Sequence, residues 1–254
     1  MEVPVVRLND VQFHSACPVQ LSRSDVTWKS GKDTVWRGAM QRWWGAAAAI
    51  FALALGSAVV GEEETEGPGN VSYFSVVKLQ HTASSARLHS SQMTYGTGSG
   101  QQAITAYPVG GDPNSYWIVK GPHGEKQPAQ GAPVECGGTI RLQHVGTTAN
   151  LHAHNHKSPL TGNIEVSGYG EGDEWGDEYD DFTVECADET DFWLRDQPVY
   201  LYHKKMAGYL SSNAAVKFPR TIRDHQEVCL MKKKTANAKW RTNEGVYFVD
   251  AATW

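Results

Sequence analysis

Three histidines, His152, His154 and His156, alternate along one short segment. At the two-residue period of a strand, that spacing puts all three imidazoles on one face. Imidazoles so placed are zinc ligands when a cysteine or carboxylate completes the set. No such pattern lies nearby in the chain, which favours strand-end and turn histidines bonded to backbone. A second set, His81, His144 and His203, recurs at roughly 60 residues. One active site needs one acid or base, so triplicated rings point to a scaffold in which each satisfies buried backbone groups. Threefold sugar pockets would also repeat. Residues 171–191 hold eleven Asp and Glu and no Lys or Arg. Paired carboxylates could hydrolyse glycosides and several could bind calcium. The spacing of Asp173, Asp177 and Asp181 does not form an EF-hand loop, and charge this dense is expected to be solvated. Gly96, Gly98 and Gly100 miss the dinucleotide and phosphate-loop patterns, and Ser99 lacks a nucleophile elbow. Neither HExxH nor paired CxxC occurs. The chain reads as no enzyme, with no cofactor and no metal.

The elements that would position these side chains come in three copies. The first runs from Val77-Lys-Leu79-Gln-His81 to Arg87-Leu88-His89, the second from Ile140-Arg-Leu142-Gln-His144 to Asn150-Leu151-His152. The third runs from Val199-Tyr-Leu201-Tyr-His203 to Tyr209-Leu210-Ser211. In each copy the leucine (Leu88, Leu151, Leu210) stands seven residues after the histidine. An aromatic residue then follows at Trp117, Phe182 and Trp240, which is 36, 38 and 37 residues after the same histidine. The strand period holds in each, with turns rich in Gly, Ser, Pro and Asn between. No segment after residue 62 carries a helical apolar stripe. A threefold repeat of strands needs a closed unit, since closure removes exposed edges. The expected fold is all-β, a β-trefoil over about residues 71–250, with repeats at 71–132, 134–195 and 196–250. The recurring leucines and aromatic residues would form its core.

Gly45 to Gly61 is a run of 17 residues without a charge, preceded by Arg42 and closed by small residues. A basic start, a short apolar core and a small-residue exit describe a signal peptide, here residues 40–61. Met40 stands where such a peptide would begin, so residues 1–39 read as an alternative or non-native extension. Removing residues 1–61 takes away six Lys/Arg and four Asp/Glu, moving the net charge from −5 to about −7. That balance argues against a nucleic-acid partner. Export would open Asn70, in Asn70-Val-Ser72, to glycosylation. No membrane span is expected after cleavage.

Cys136 precedes the first strand of copy two and Cys186 follows its last. Antiparallel pairing of those strands in a trefoil would bring them together as a disulfide closing about 50 residues, worth roughly 3–4 kcal/mol. Cys229 is expected as a buried thiol.

Leu-Gln-His followed by Leu-His resembles the MIR domain of protein O-mannosyltransferases and of two calcium-channel families. Over residues 72–249 the chain is most similar to the stromal cell-derived factor 2-like family, a signal peptide plus one MIR domain. Leu151-His-Ala-His-Asn-His-Lys-Ser-Pro159, Asp191-Phe-Trp-Leu-Arg-Asp196 and Asp112-Pro-Asn-Ser-Tyr-Trp117 carry that likeness. It implies a non-catalytic protein of the endoplasmic-reticulum lumen. Implied partners are the lumenal Hsp70, its J-domain co-chaperone, and unfolded or glycosylated clients. The family commonly ends in a KDEL-like tetrapeptide, whereas this chain ends Asp250-Ala-Ala-Thr-Trp254. Secretion is the expectation should that ending be genuine. The rival function is lectin-like, with shallow pockets at Arg87 and His89, at Asn150, His152 and His154, and at Ser211 and Asn213. Residues 217–241 hold eight Lys/Arg and two acids against the acidic stretch, a two-signed surface suited to protein docking.

Overall fold

The computed structural model describes residues 69–172, 176–219 and 222–249. The extension and signal peptide read from the sequence lie outside those residues. Four strands fall in each repeat. They are β1 (Val76–His81), β2 (Arg87–Thr94), β3 (Gln102–Tyr107) and β4 (Trp117–Lys120) in the first. The second holds β5 (Thr139–His144), β6 (Asn150–Lys157), β7 (Ile164–Tyr169) and β8 (Phe182–Cys186). The third holds β9 (Val199–His203), β10 (Gly208–Lys217), β11 (Gln226–Met231) and β12 (Trp240–Val246).

Antiparallel pairings close the sheet. The first and last strands of the repeats run β1–β4–β5–β8–β9–β12 and return to β1 as a ring. The middle strands form hairpins β2–β3, β6–β7 and β10–β11, whose second strands pair with one another in a triangle. A ring has no edge strands to protect, which explains how short strands such as β4 hold.

Leu79, Leu142 and Leu201 meet Leu88, Leu151 and Leu210 in one core with Trp117, Phe182 and Trp240, none of them more than 1% exposed. The alternation in β9 appears directly as buried and half-buried residues in turn. In β1 and β5 both faces are covered: Lys78, Gln80, Arg141 and Gln143 are buried as well. Their polar ends reach backbone, Lys78 Nζ to Gly110 O at 2.6 Å and Arg141 Nε to Gly121 O at 2.9 Å.

A 3-10 turn precedes the last strand of each repeat, at Pro113–Ser115, Glu178–Asp180 and Ala236–Ala238. The repeat histidines tie the copies together through these turns. His81 Nε2 donates to Asn237 O, His144 Nε2 to Asn114 O and His203 Nε2 to Tyr179 O, at 2.9–3.0 Å. Each histidine thus holds the turn of the repeat before it, the first holding that of the third. A carbonyl only accepts, which fixes the proton on Nε2 and leaves Nδ1 to accept. It accepts from Met206 N–H in the third repeat and faces Ser84 and Thr147 hydroxyls in the others. Burial lowers the basicity of all three rings, partly offset by the carbonyl each one bonds. Four residues beyond each histidine, Ser85, Thr148 and Ala207 adopt the left-handed conformation, with φ of 58°, 59° and 49°. Cys136 and Cys186 are disulfide-bonded, with Cα atoms 5.6 Å apart, across the start of β5 and the end of β8.

Candidate functional site

The position after the repeat leucine, at the start of each hairpin, carries His89, His152 and Ser211. Opposite it sits the cap of the 3-10 turn, Asp112, Asp177 or Thr235, and the last residue of that turn, Ser115, Asp180 or Ala238. These three loci are built on one plan with different chemistry.

In the second repeat, His152 Nδ1 donates to Asp180 Oδ1 at 2.8 Å and lies 3.6 Å from Asp177 Oδ1. Asp180 is fully buried. Its second oxygen accepts from Asn150 Nδ2 at 3.2 Å and from the Asp177 backbone N–H at 3.1 Å. That last bond completes a capping box, which is why a carboxylate can stand at the inner end of so short a turn. Tyr169 and Tyr179 flank the imidazole with ring centroids at 4.8 and 6.0 Å. His152, Asp177 and Asp180 have ligand atoms within 4.8 Å of one another. Protein donors reach both Asp180 oxygens, which ties the cluster together by hydrogen bonds.

His154 and His156 continue the ladder, with neighbouring ring centroids 5.2 and 4.7 Å apart. The one-face reading therefore holds, but the rings take separate surroundings. His154 Nε2 bonds Glu165 Oε1 at 2.8 Å, and Ser99 bonds the same oxygen. Burial lowers the His154 pKa, partly offset by that carboxylate. His156 is exposed.

In the first repeat, His89 Nε2 reaches Asp112 Oδ2 at 3.1 Å and Nδ1 faces Thr105 Oγ1 at 3.2 Å. The Thr105 hydroxyl also meets His225 Nδ1 at 2.8 Å, and Tyr107 stacks on that ring at 4.1 Å. Burial first, and His225 second, push His89 down to about 4 against the pull of Asp112. Arg87 is committed to Glu244 at 2.7 Å, a carboxylate shared with Lys78 at 2.8 Å and held below its usual range by both. In the third repeat Ser211 Oγ donates to Tyr209 O at 2.9 Å. Ser211 and Asn213 line a cavity of about 110 Å³ with Cys229, whose thiol burial pushes up to about 11. Among the described residues no serine, threonine or cysteine side chain hydrogen-bonds His152, so no nucleophile and base meet there.

The sequence assigned no site role to Asp112 or Asp180 and offered Asp177 only as a calcium ligand. A signal for the caps was present: Asp112, Asp177 and Thr235 each stand five residues before the repeat aromatic and are helix-capping types. Asp180 was hidden inside an acidic run, and its complete burial departs from the solvated surface expected there.

This threefold arrangement is that of an MIR domain, whose family profile matches residues 86–241. The chain belongs to the stromal cell-derived factor 2-like family of MIR-domain proteins. It is 42% identical over 197 residues to a stromal cell-derived factor 2-like protein of Arabidopsis thaliana, covering 75% of this chain and 84% of that relative. The crystal structure of the Arabidopsis thaliana SDF2-like protein matches with a TM-score of 0.69, covering 71% of this chain and 98% of that one. The Saccharomyces cerevisiae protein O-mannosyltransferase Pmt1–Pmt2 complex, bound to its sugar donor, is also similar. That match has TM-score 0.62 and 25% identity, over 73% of this chain and 27% of the other.

Proposed function

We propose that the chain is a non-catalytic β-trefoil adaptor of the endoplasmic-reticulum lumen, delivered by the signal peptide at residues 40–61. It would work with the lumenal Hsp70 and its J-domain co-chaperone in protein folding and quality control. What supports this reading is kinship to the stromal cell-derived factor 2-like family along nearly the whole trefoil. The buried histidines agree with it: His81, His144 and His203 are each committed through Nε2 to a backbone carbonyl, and His152 to the Asp180 carboxylate. No described helix is long and apolar enough to cross a membrane. Asn70 is exposed and is proposed to carry a glycan.

The test is affinity capture of the tagged full chain from the lumen, with and without competing sugars. The adaptor reading expects recovery of both chaperones, unchanged by sugar. Recovery of neither overturns it. The second reading is glycan recognition, favoured by the exposed Tyr169 ring and the Asp177 carboxylate beside His152, since sugars stack on aromatic faces and bond carboxylates. It expects glycan-array binding that His152→Ala removes.

A further inference from the structure

A cavity of about 540 Å³ lies away from the His152 cluster. It runs between the β6–β7 hairpin of the second repeat and the end of β11 in the third. Its floor is apolar, formed by Ile164, Leu230 and Met231. Its rim is cationic: Lys157, Lys232 and Lys233, all exposed, with no acidic residue in the lining. Among the described residues none of these lysines has a salt bridge. Lys234, one position further on, differs, being bonded to Glu185 at 2.8 Å and packed over the Tyr200 ring. The carboxylates on the adjoining strands are buried and engaged: Glu165 with His154, and Glu227 with the Leu160 and Thr161 N–H groups and the Thr161 hydroxyl.

The three repeats show that the fold itself does not ask for this charge. Val228, Val166 and Ile104 are equivalent, each facing the second residue after its repeat leucine. Counting on from them, Lys232 and Lys233 correspond to Gly170 and Glu171 in the second repeat and to Pro108 and Val109 in the first. Neither pair is basic. Lys157 has a counterpart in Lys217 but meets Thr94 in the first repeat. Two adjacent lysines on the rim of an apolar cleft, in a chain of net charge −5, therefore serve something outside the fold.

We propose that this cleft docks an extended acidic peptide segment of a partner protein, its apolar side chains on Ile164, Leu230 and Met231 and its carboxylates against the lysine rim. A small inorganic anion fits less well. Anion pockets converge buried donors on one point, whereas these cations are long, exposed and spread around the mouth. The segment chemistry goes beyond the chaperone reading and can fail or succeed independently of chaperone capture.

The experiment follows fluorescence anisotropy of a labelled peptide alternating Asp or Glu with Leu, titrated with the purified protein. Lys232→Glu with Lys233→Glu weakens binding by about tenfold or more, while Lys234→Glu leaves it within about twofold. Raising salt from about 50 to about 300 mM weakens parent binding several-fold, an arm that needs no variant. An Asn/Gln version of the peptide binds at least about tenfold more weakly. Parent-like binding by the double variant, salt-independent binding, or equal binding of the uncharged peptide overturns the proposal. So does displacement by inorganic phosphate at about 1 mM, which marks a small-anion site.

Discussion

The first and second repeats place a histidine at one position and an aspartate at the cap opposite it, yet the resulting clusters differ. In the first, Ser115 ends the 3-10 turn and His89 is shared between Asp112 and a chain of polar groups through Thr105 to His225. In the second, Asp180 ends the turn and gathers His152, Asn150 and the Asp177 amide onto one buried carboxylate. The third has Ser211 and Ala238 in these places, with a cap that makes no side-chain bond. The backbone plan is therefore supported by the histidine–turn bonds common to all three copies, and the hairpin-start position is free to vary. Chemistry there differs because the fold does not depend on it in every repeat.

The sharpest way to break that comparison is to remove the carboxylate. Asp180→Ala takes the buried acceptor from His152 Nδ1 and the Asp177 N–H and costs about 3–5 kcal/mol. Ser115→Ala in the first repeat removes only a 3.4 Å contact to Asp112 and costs less than about 1 kcal/mol. Urea unfolding of both variants measures the gap, and equal losses would contradict the view that only the second cluster is structural.

The disulfide gives the next effect and belongs to the second repeat alone among the described residues. Cys136→Ala with Cys186→Ala frees a loop of 50 residues and lowers stability by about 2–4 kcal/mol. Reduction of the parent protein should match the double variant. A reduced protein as stable as the oxidised one would show that ring closure already holds β5 against β8.

Much of this was legible in the sequence, for a physical reason. Leu88, Leu151 and Leu210, and the histidines seven residues earlier, recur because one core and one set of turn contacts are made three times. The two cysteines were readable because their repeat offsets placed them at paired strand ends. The clusters were not, because they join residues 23 to 28 positions apart, such as His89 with Asp112 and His152 with Asp180, through turns whose spacing varies by two residues. Asp180 in particular has the composition of a solvated acidic surface around it, and only the capping box turns it inward. The Lys232 and Lys233 rim was read as half of a two-signed surface, but the apolar floor beneath it comes from strands of two repeats.

A pH series sharpens the contrast between the first and third repeats. The His89 ring titrates at about 4 in the folded chain against 6.5 when unfolded. The unfolded state therefore binds the extra proton between those values, and stability falls as pH drops from about 6.5 towards 4. His81, His144 and His203, also lowered by burial, act in the same direction. Installing the third repeat's residue, His89→Ser, removes one titrating group. The acid-limb loss should shrink by about 2 kcal/mol, read from urea midpoints across the window. An unchanged slope would place the acid sensitivity elsewhere.

The smallest expected effect concerns the aromatic positions and asks whether the repeats are equivalent in energy as well as in place. Trp117 Nε1–H donates to Leu88 O and Trp240 Nε1–H to Leu210 O, both at 2.9 Å. Phe182 fills the same position in the second repeat with no donor to offer the Leu151 carbonyl. All three rings pack on a repeat histidine, at centroid distances of 5.0–5.1 Å. Trp117→Phe removes one buried hydrogen bond and part of a ring, costing about 1–2 kcal/mol. Trp240→Phe should cost the same within about 0.5 kcal/mol, because its partner, distance and burial are the same. The second repeat already folds with phenylalanine here, so neither variant should lose cooperativity. Unequal losses would mean that the ring closes with different tension at β4 and β12, where only β12 ends the chain's path around the barrel.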